Sequence, residues 1–148
     1  MELESIYTDL ILEHSQCSHN KRHLDCATCT ERGHNPSCGD EIVLELKLNH
    51  DTVEEASFTG SGCAISQAST SIMIDLINGK SIEEAKALSD TFLSMIKRII
   101  TEDNELEVLE DAIAFKNISN MPARVKCAVL AWHTLNEAIN KKQQEVAN

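Results

Sequence analysis

The sequence predicts an α+β domain: a small antiparallel β-sheet of about three strands, covered on one face by helices. Three observations carry that prediction. Apolar residues alternate with other residues on either side of a turn within positions 42–58, they recur at three- and four-residue steps in four other segments, and the order is helix, hairpin, then several helices. At 148 residues with a hydrophobic share of 42%, a single domain over 1–148 is expected.

Leu3, Ile6, Tyr7, Leu10, Ile11 and His14 lie on one helical face, giving a short N-terminal helix. Residues 15–40 have no apolar periodicity and read as loop with at most one short strand. Ile42, Leu44, Leu46 and Leu48 alternate with Glu41, Val43, Glu45 and Lys47, and Ala56 and Phe58 repeat the pattern beyond an Asn49-His50-Asp51 turn, so a β-hairpin with one covered face follows. Gly60-Ser61-Gly62-Cys63 breaks that strand and opens a helix carrying Ile65, Ala68, Ile72 and Leu76, which Asn78-Gly79 stops. Ser81-Ile82-Glu83-Glu84 matches a capping box, and Ala85, Leu88, Phe92, Met95 and Ile99 extend the next helix to about Ile100. The acidic stretch 101–111 reads as a solvated face or loop. Met121-Pro122 opens the last helix, whose buried stripe is Val125, Ala128, Trp132, Leu135 and Ile139; its Lys141-Lys142-Gln143-Gln144 tail reads as frayed.

The formal net charge of −11 repels phosphate backbones and anionic headgroups, so neither nucleic acid nor a membrane surface is an expected partner. No apolar run approaches the roughly 18 residues of a membrane span. The start, Met1-Glu2-Leu3-Glu4-Ser5, lacks the basic and apolar regions of a secretion signal, so a reducing cytoplasmic location is expected and the six cysteines are not read as a disulfide framework. Six Cys and six His in so small a chain point instead to metal binding or thiol chemistry. Cys38 follows a proline-containing loop, while Cys63 and Cys127 lie near helix starts, where unpaired N–H groups favour thiolate. Spacing alone leaves open that each is simply a small buried hydrophobe.

Asn35-Pro36-Ser37-Cys38-Gly39-Asp40, Gly60-Ser61-Gly62-Cys63-Ala64-Ile65-Ser66 and Pro122-Ala123-Arg124-Val125-Lys126-Cys127 resemble the three signature segments of the IscU/SufU family of iron–sulfur cluster assembly proteins, which includes the NifU N-terminal domain. The resemblance runs from Tyr7 to Ile139 and implies an IscU/SufU-like fold. Two features resemble the SufU branch. Lys126 stands where the scaffold branch has a ligating histidine before the third cysteine, and residues 79–100 resemble an insertion of that branch.

The resemblance implies a metal site of Cys38, Asp40, Cys63 and Cys127. Three thiolates and a carboxylate suit tetrahedral Zn2+, with a net charge of about −2 once all four are deprotonated. Gly39 permits the tight turn that Cys38 and Asp40 would need to converge. The implied activity is that of a zinc-dependent sulfurtransferase. Cys38 would accept persulfide sulfur from a pyridoxal-phosphate-dependent, SufS-type cysteine desulfurase, with a partner side chain such as histidine taking its place on the metal. The sulfur would then pass to a SufBCD-type assembly complex. Arg124 and Lys126 would favour the anionic persulfide or the docking surface, the plainer reading being ordinary solvated cations. An iron–sulfur scaffold holding a nascent [2Fe–2S] cluster on the same cysteines is the alternative, and a non-catalytic zinc-stabilised adaptor a second. The chain departs from the family pattern between residues 14 and 34, where His14, Cys17, His19, His23, Cys26, Cys29 and His34 accumulate. Cys17, Cys26 and Cys29 could form a second metal site; incidental thiols are the other reading.

Overall fold

The computed structural model describes residues 3–16, 19–37 and 39–147. The elements are α1 (Leu3–Gln16), β1 (Cys29–Asn35), β2 (Asp40–Asn49), β3 (Thr52–Ser61), α2 (Ala64–Ile77), α3 (Ile82–Ile96), the one-turn α4 (Asp103–Leu106), a kinked 3₁₀ segment (Glu107–Asn120) and α5 (Pro122–Ala147). The strands form one antiparallel sheet in the order β1-β2-β3. The predicted α+β class and three-stranded sheet are both present.

The hairpin forms because its apolar alternation matches the strand period of two. Ile42, Leu44, Leu46, Ala56 and Phe58 are all buried on the helix-covered face. Register shifts between Lys47 and Leu48: Lys47 pairs with Glu55 but Leu48 with Val53, leaving Glu54 as the extra residue of a bulge. The bulge turns Val53 into the core and leaves Leu48 only half-buried. His50 makes the turn with a positive φ of 57°.

β1 is the one strand to emerge from the stretch read mainly as loop. Its sequence, Cys-Thr-Glu-Arg-Gly-His-Asn, carries almost no apolar signal, and pairing with β2 from Cys29↔Leu46 to Asn35↔Asp40 makes it a strand. α5 crosses it so closely that a Cβ on Gly33 would stand 2.0 Å from Thr134 Oγ1. Residues 20–28 form a strap that starts at the free edge of β3 and crosses the far face: Phe58 N–H donates to Asn20 O and Arg22 N–H to Phe58 O along that edge, and Leu24 N–H donates to Glu45 Oε2 over the face.

α2 is buried on nearly every side. Its small residues admit close neighbours: Ser69 Oγ donates to Ala128 O at 2.6 Å and accepts from Trp132 Nε1 at 3.0 Å, locking α2 to α5. Trp132 stacks on Phe92 of α3 with centroids 4.2 Å apart, and Phe92 meets Phe115 edge-on at 6.0 Å. Along α1, Leu10 and Ile11 pack on the core and His14 bonds Ser71; the side chains of Leu3, Ile6 and Tyr7 lie outside the described residues.

Three boundaries depart from expectation. α3 stops at Ile96 rather than near Ile100, because Arg98 enters the left-handed region (φ 61°) and Ile99 N–H reaches back to Ser94 O in a Schellman closure without glycine. Ile96 is therefore buried, and Ile99 stands 72% exposed instead of joining the stripe. The acidic stretch 101–111 is more than a solvated loop: Leu106 and Leu109 are buried beneath its exposed carboxylates, and Ala112, Phe115 and Ile118 continue the buried face beyond it. Glu110 (φ 49°, ψ −123°) breaks its periodicity, which hides the pattern from a helical reading. The tail of α5 stays helical through 141–144, with Lys141 Nζ paired to Glu31 at 2.8 Å.

Candidate metal centre

Three chain segments meet at one end of the sheet. Asp40 opens β2, Cys63 caps the N-terminus of α2, and Cys127 lies in the second turn of α5. One ligand atom from each lies within 4.8 Å of the other two. Ligand atoms around a tetrahedral zinc stand about 3.3–3.8 Å apart, so the three groups are near the required spacing. Cys38, the fourth expected ligand, lies outside the described residues, in the four-residue connection between β1 and β2.

Each position has a local cause. Cys63 adopts extended φ/ψ of −71° and 165° as N-cap and makes no side-chain cap, which leaves its sulfur uncommitted. Its backbone N–H donates instead to Asp40 Oδ1 at 2.8 Å. That approach requires glycine at 62, where a Cβ would stand 2.4 Å from Asp40 Oδ1 and 2.6 Å from Ser66 Oγ. Gly39 has φ of 70°, the left-handed conformation expected of the turn before Asp40. Asn35, quoted in the motif without a role, ties this loop together: Oδ1 accepts from Ser37 N–H at 3.3 Å, and Nδ2 approaches Asp40 Oδ2 at 3.5 Å. Its signal was legible, since Asn before Pro-Ser is a common Asx turn.

Asp40 is fully buried, and among the described residues no cationic side chain pairs with it. A buried carboxylate with two N–H donors and a helix N-terminus beside it is only partly compensated, and a divalent cation would complete the compensation. Two thiols and one carboxylate suit zinc, and the thiols would suit iron. The donor set therefore fits a metal ion. The helix dipole acts mainly on Cys63; Cys127, fully buried in the second turn, is beyond most of its reach. Arg124 and Lys126 are both exposed around the first turn of α5.

The thiols and histidines of residues 14–34 do not gather in the same way. Cys17 lies outside the described residues. Cys26 is exposed in a turn, whereas Cys29 opens β1 and points at α5, its Sγ 3.7 Å from Ala138 O. Burial, and then the nearby Glu31, push the Cys29 thiol above its ordinary pKa, which disfavours the thiolate a metal needs. His14 bonds Ser71, His19 bonds Asp75 and His23 bonds Glu45. Among the described residues, Cys26 and Cys29 join no group of three converging ligands.

Comparison with known proteins gives the family. The model of the NifU-like N terminal domain matches residues 6–147. The chain belongs to that family. It is 40% identical over 141 residues to the iron–sulfur cluster assembly scaffold protein IscU of Thermotoga maritima, covering 95% of this chain and 97% of the relative. It is 38% identical to the zinc-dependent sulfurtransferase SufU of Bacillus subtilis, covering 95% and 94%. The crystal structure of FiSufU from Fervidobacterium islandicum, described as an iron–sulfur cluster assembly scaffold protein for the SUF system, superposes with a TM-score of 0.84 at 36% identity, over 93% of this chain and 99% of that one. The NifU-like family thus places the chain among iron–sulfur cluster assembly proteins, with scaffold-named and sulfurtransferase-named relatives about equally close. No helix among the described residues is long and apolar enough to cross a membrane.

Proposed function

We propose that this protein is a zinc-dependent sulfurtransferase of iron–sulfur cluster biogenesis, taking persulfide sulfur from a SufS-type cysteine desulfurase and passing it to a SufBCD-type assembly complex. The observation that carries the reading is the convergence of the buried Asp40 and Cys127 with the half-buried Cys63, their ligand atoms within 4.8 Å of one another. Lys126 adds to it, because an exposed ammonium stands where a histidine ligand would suit a cluster scaffold. The SufU relative bears the same activity in its name.

On this reading Cys38, Asp40, Cys63 and Cys127 hold the ion. Zinc, when bound, supplies a double positive charge that keeps thiols deprotonated without redox change. The chain does the rest. Asp40 is fixed by the Cys63 N–H and braced by Asn35, so the carboxylate holds its place whether or not Cys38 is engaged elsewhere. The Cys38 thiolate attacks the outer sulfur of a persulfide on the donor enzyme. A Cys38 S–S bond forms, the donor's S–S bond breaks, and the donor cysteine leaves as thiolate. Arg124 and Lys126 place two exposed cations near the start of α5, favouring the anionic persulfide product.

The test is sulfur uptake from a desulfurase charged with labelled cysteine. The wild type, purified colourless with one zinc per chain, takes up label, and Cys38→Ala takes up none. Labelled sulfur on Cys38→Ala would refute the acceptor role. The scaffold reading is favoured by the IscU-named relatives, and brown protein with visible absorption would decide for it.

A further inference from the structure

Between residues 66 and 71, α2 carries five polar side chains, all buried. Four are satisfied. Ser66 Oγ donates to Cys63 O, Ser69 to Ala128 O, Thr70 to Ser66 O, and Ser71 is engaged by His14 and Asn20. The fifth is not: Gln67 is 6% exposed, and neither its Nε2 nor its Oε1 has a hydrogen-bond partner among the described residues. Leaving an entire carboxamide buried and unpaired is costly, and an apolar side chain of that size would fill the space without the cost.

The position of Gln67 suggests what it serves. Its backbone N–H bonds Cys63 O at 3.1 Å, so it stands one helical turn behind the Cys63 cap. Helical side chains lean back toward the N-terminus, over the turn that precedes them, which directs the carboxamide of Gln67 toward the Cys63 end of α2. There the Cys63 sulfur, uncommitted as a cap, faces Asp40 and Cys127.

We propose that Gln67 is a positioning residue of the metal centre, its Nε2–H donating to the Cys63 sulfur once that sulfur is held as a thiolate. The inference rests on the reading of Asp40, Cys63 and Cys127 as metal ligands and extends it by one supporting residue. A ligand thiolate that accepts an N–H bond is oriented and its charge is shared, and such supporting bonds tune metal affinity.

The test is Gln67→Met, an apolar side chain of similar length, in the full-length protein. Zinc affinity is measured by chelator competition, the cobalt(II) form by its thiolate-to-metal charge-transfer absorption, and the metal-free form by its Tm. The expected result is about tenfold weaker zinc binding, a cobalt band moved to longer wavelength as the sulfur loses its N–H donor, and a metal-free Tm equal to or above wild type. A cobalt band that stays in place overturns the proposal whatever happens to affinity, because lost packing alone leaves the sulfur's electronic environment unchanged. Wild-type protein that takes up neither metal removes the metal-centre reading itself, a result distinct from a Met variant that behaves as wild type.

Discussion

Asp40→Asn separates a ligand from a structural acceptor. The replacement keeps the shape and an amide oxygen able to accept the Cys63 N–H now bonded at 2.8 Å, but it removes the charge of a fully buried carboxylate. In metal-free protein that change removes a charge paired with no cation among the described residues and sets an NH2 against Asn35 Nδ2; the two effects oppose each other, and the change in folding stability is small beside the metal-linked loss. In metal-loaded protein it removes an anionic ligand. A loss of affinity of tenfold to a hundredfold is about 1.4–2.8 kcal/mol of metal-linked stability. At roughly 2–4 °C per kcal/mol for a chain of this size, the metal-loaded Tm falls by about 3–11 °C. The assay is differential scanning calorimetry of both proteins, each with excess zinc and with chelator. Equal Tm losses in the two conditions would refute the argument, showing Asp40 to be an acceptor for the α2 terminus and nothing more.

Other expectations follow from single contacts. Gly62→Ala sets a methyl 2.4 Å from Asp40 Oδ1, so the carboxylate must move off the Cys63 N–H; metal binding weakens about tenfold and overpacking costs about 1–3 kcal/mol, read by chelator competition and urea unfolding. Glu110→Gly relieves a non-glycine residue held at φ 49°, ψ −123° and raises stability by about 1 kcal/mol; an unchanged urea midpoint would show that Glu110 bears no strain. Burial works against ionisation of Glu45, but the bonds from Leu24 N–H and His23 outweigh it and hold the carboxyl below its ordinary value of 4.5. A depressed folded-state pKa contributes stability that is present above the unfolded value and lost as pH falls through the folded one. Glu45→Gln should therefore lower stability at pH 7 and flatten the acid limb below about pH 4.5; a wild-type acid limb would show that the strap across the sheet does not depend on this charge.

The hairpin, α2, α3 and α5 were legible because their apolar residues keep the period of the element they form. Ile42, Leu44 and Leu46 report a strand, and Ala128, Trp132 and Leu135 report a helix face, whatever packs on them. β1 was scarcely legible, since Thr30, Arg32 and His34 are exposed and only the β2 backbone makes that segment a strand. The 107–120 segment was missed because its first residues lie among exposed carboxylates and the kink at Glu110 breaks the period that its buried residues would otherwise keep. The end of α3 was misplaced because arginine, not glycine, takes the left-handed position. At the candidate site the resemblance named Asp40, Cys63 and Cys127, and Asn35 and Gly62 stood in the quoted motifs with no role assigned.

Along the chain, local chemistry showed thiols and a carboxylate beside glycines and helix starts, and the resemblance of those segments to one family named them as candidate ligands. Their convergence was beyond local chemistry. Residues 40, 63 and 127 are distant in sequence, and only the pairing of β2 with β3 and the docking of α5 on α2 through Ser69 and Trp132 close that distance. The reason is physical. Periodicity depends on neighbours within a turn or two, whereas the meeting of three distant groups depends on how whole elements exclude water together.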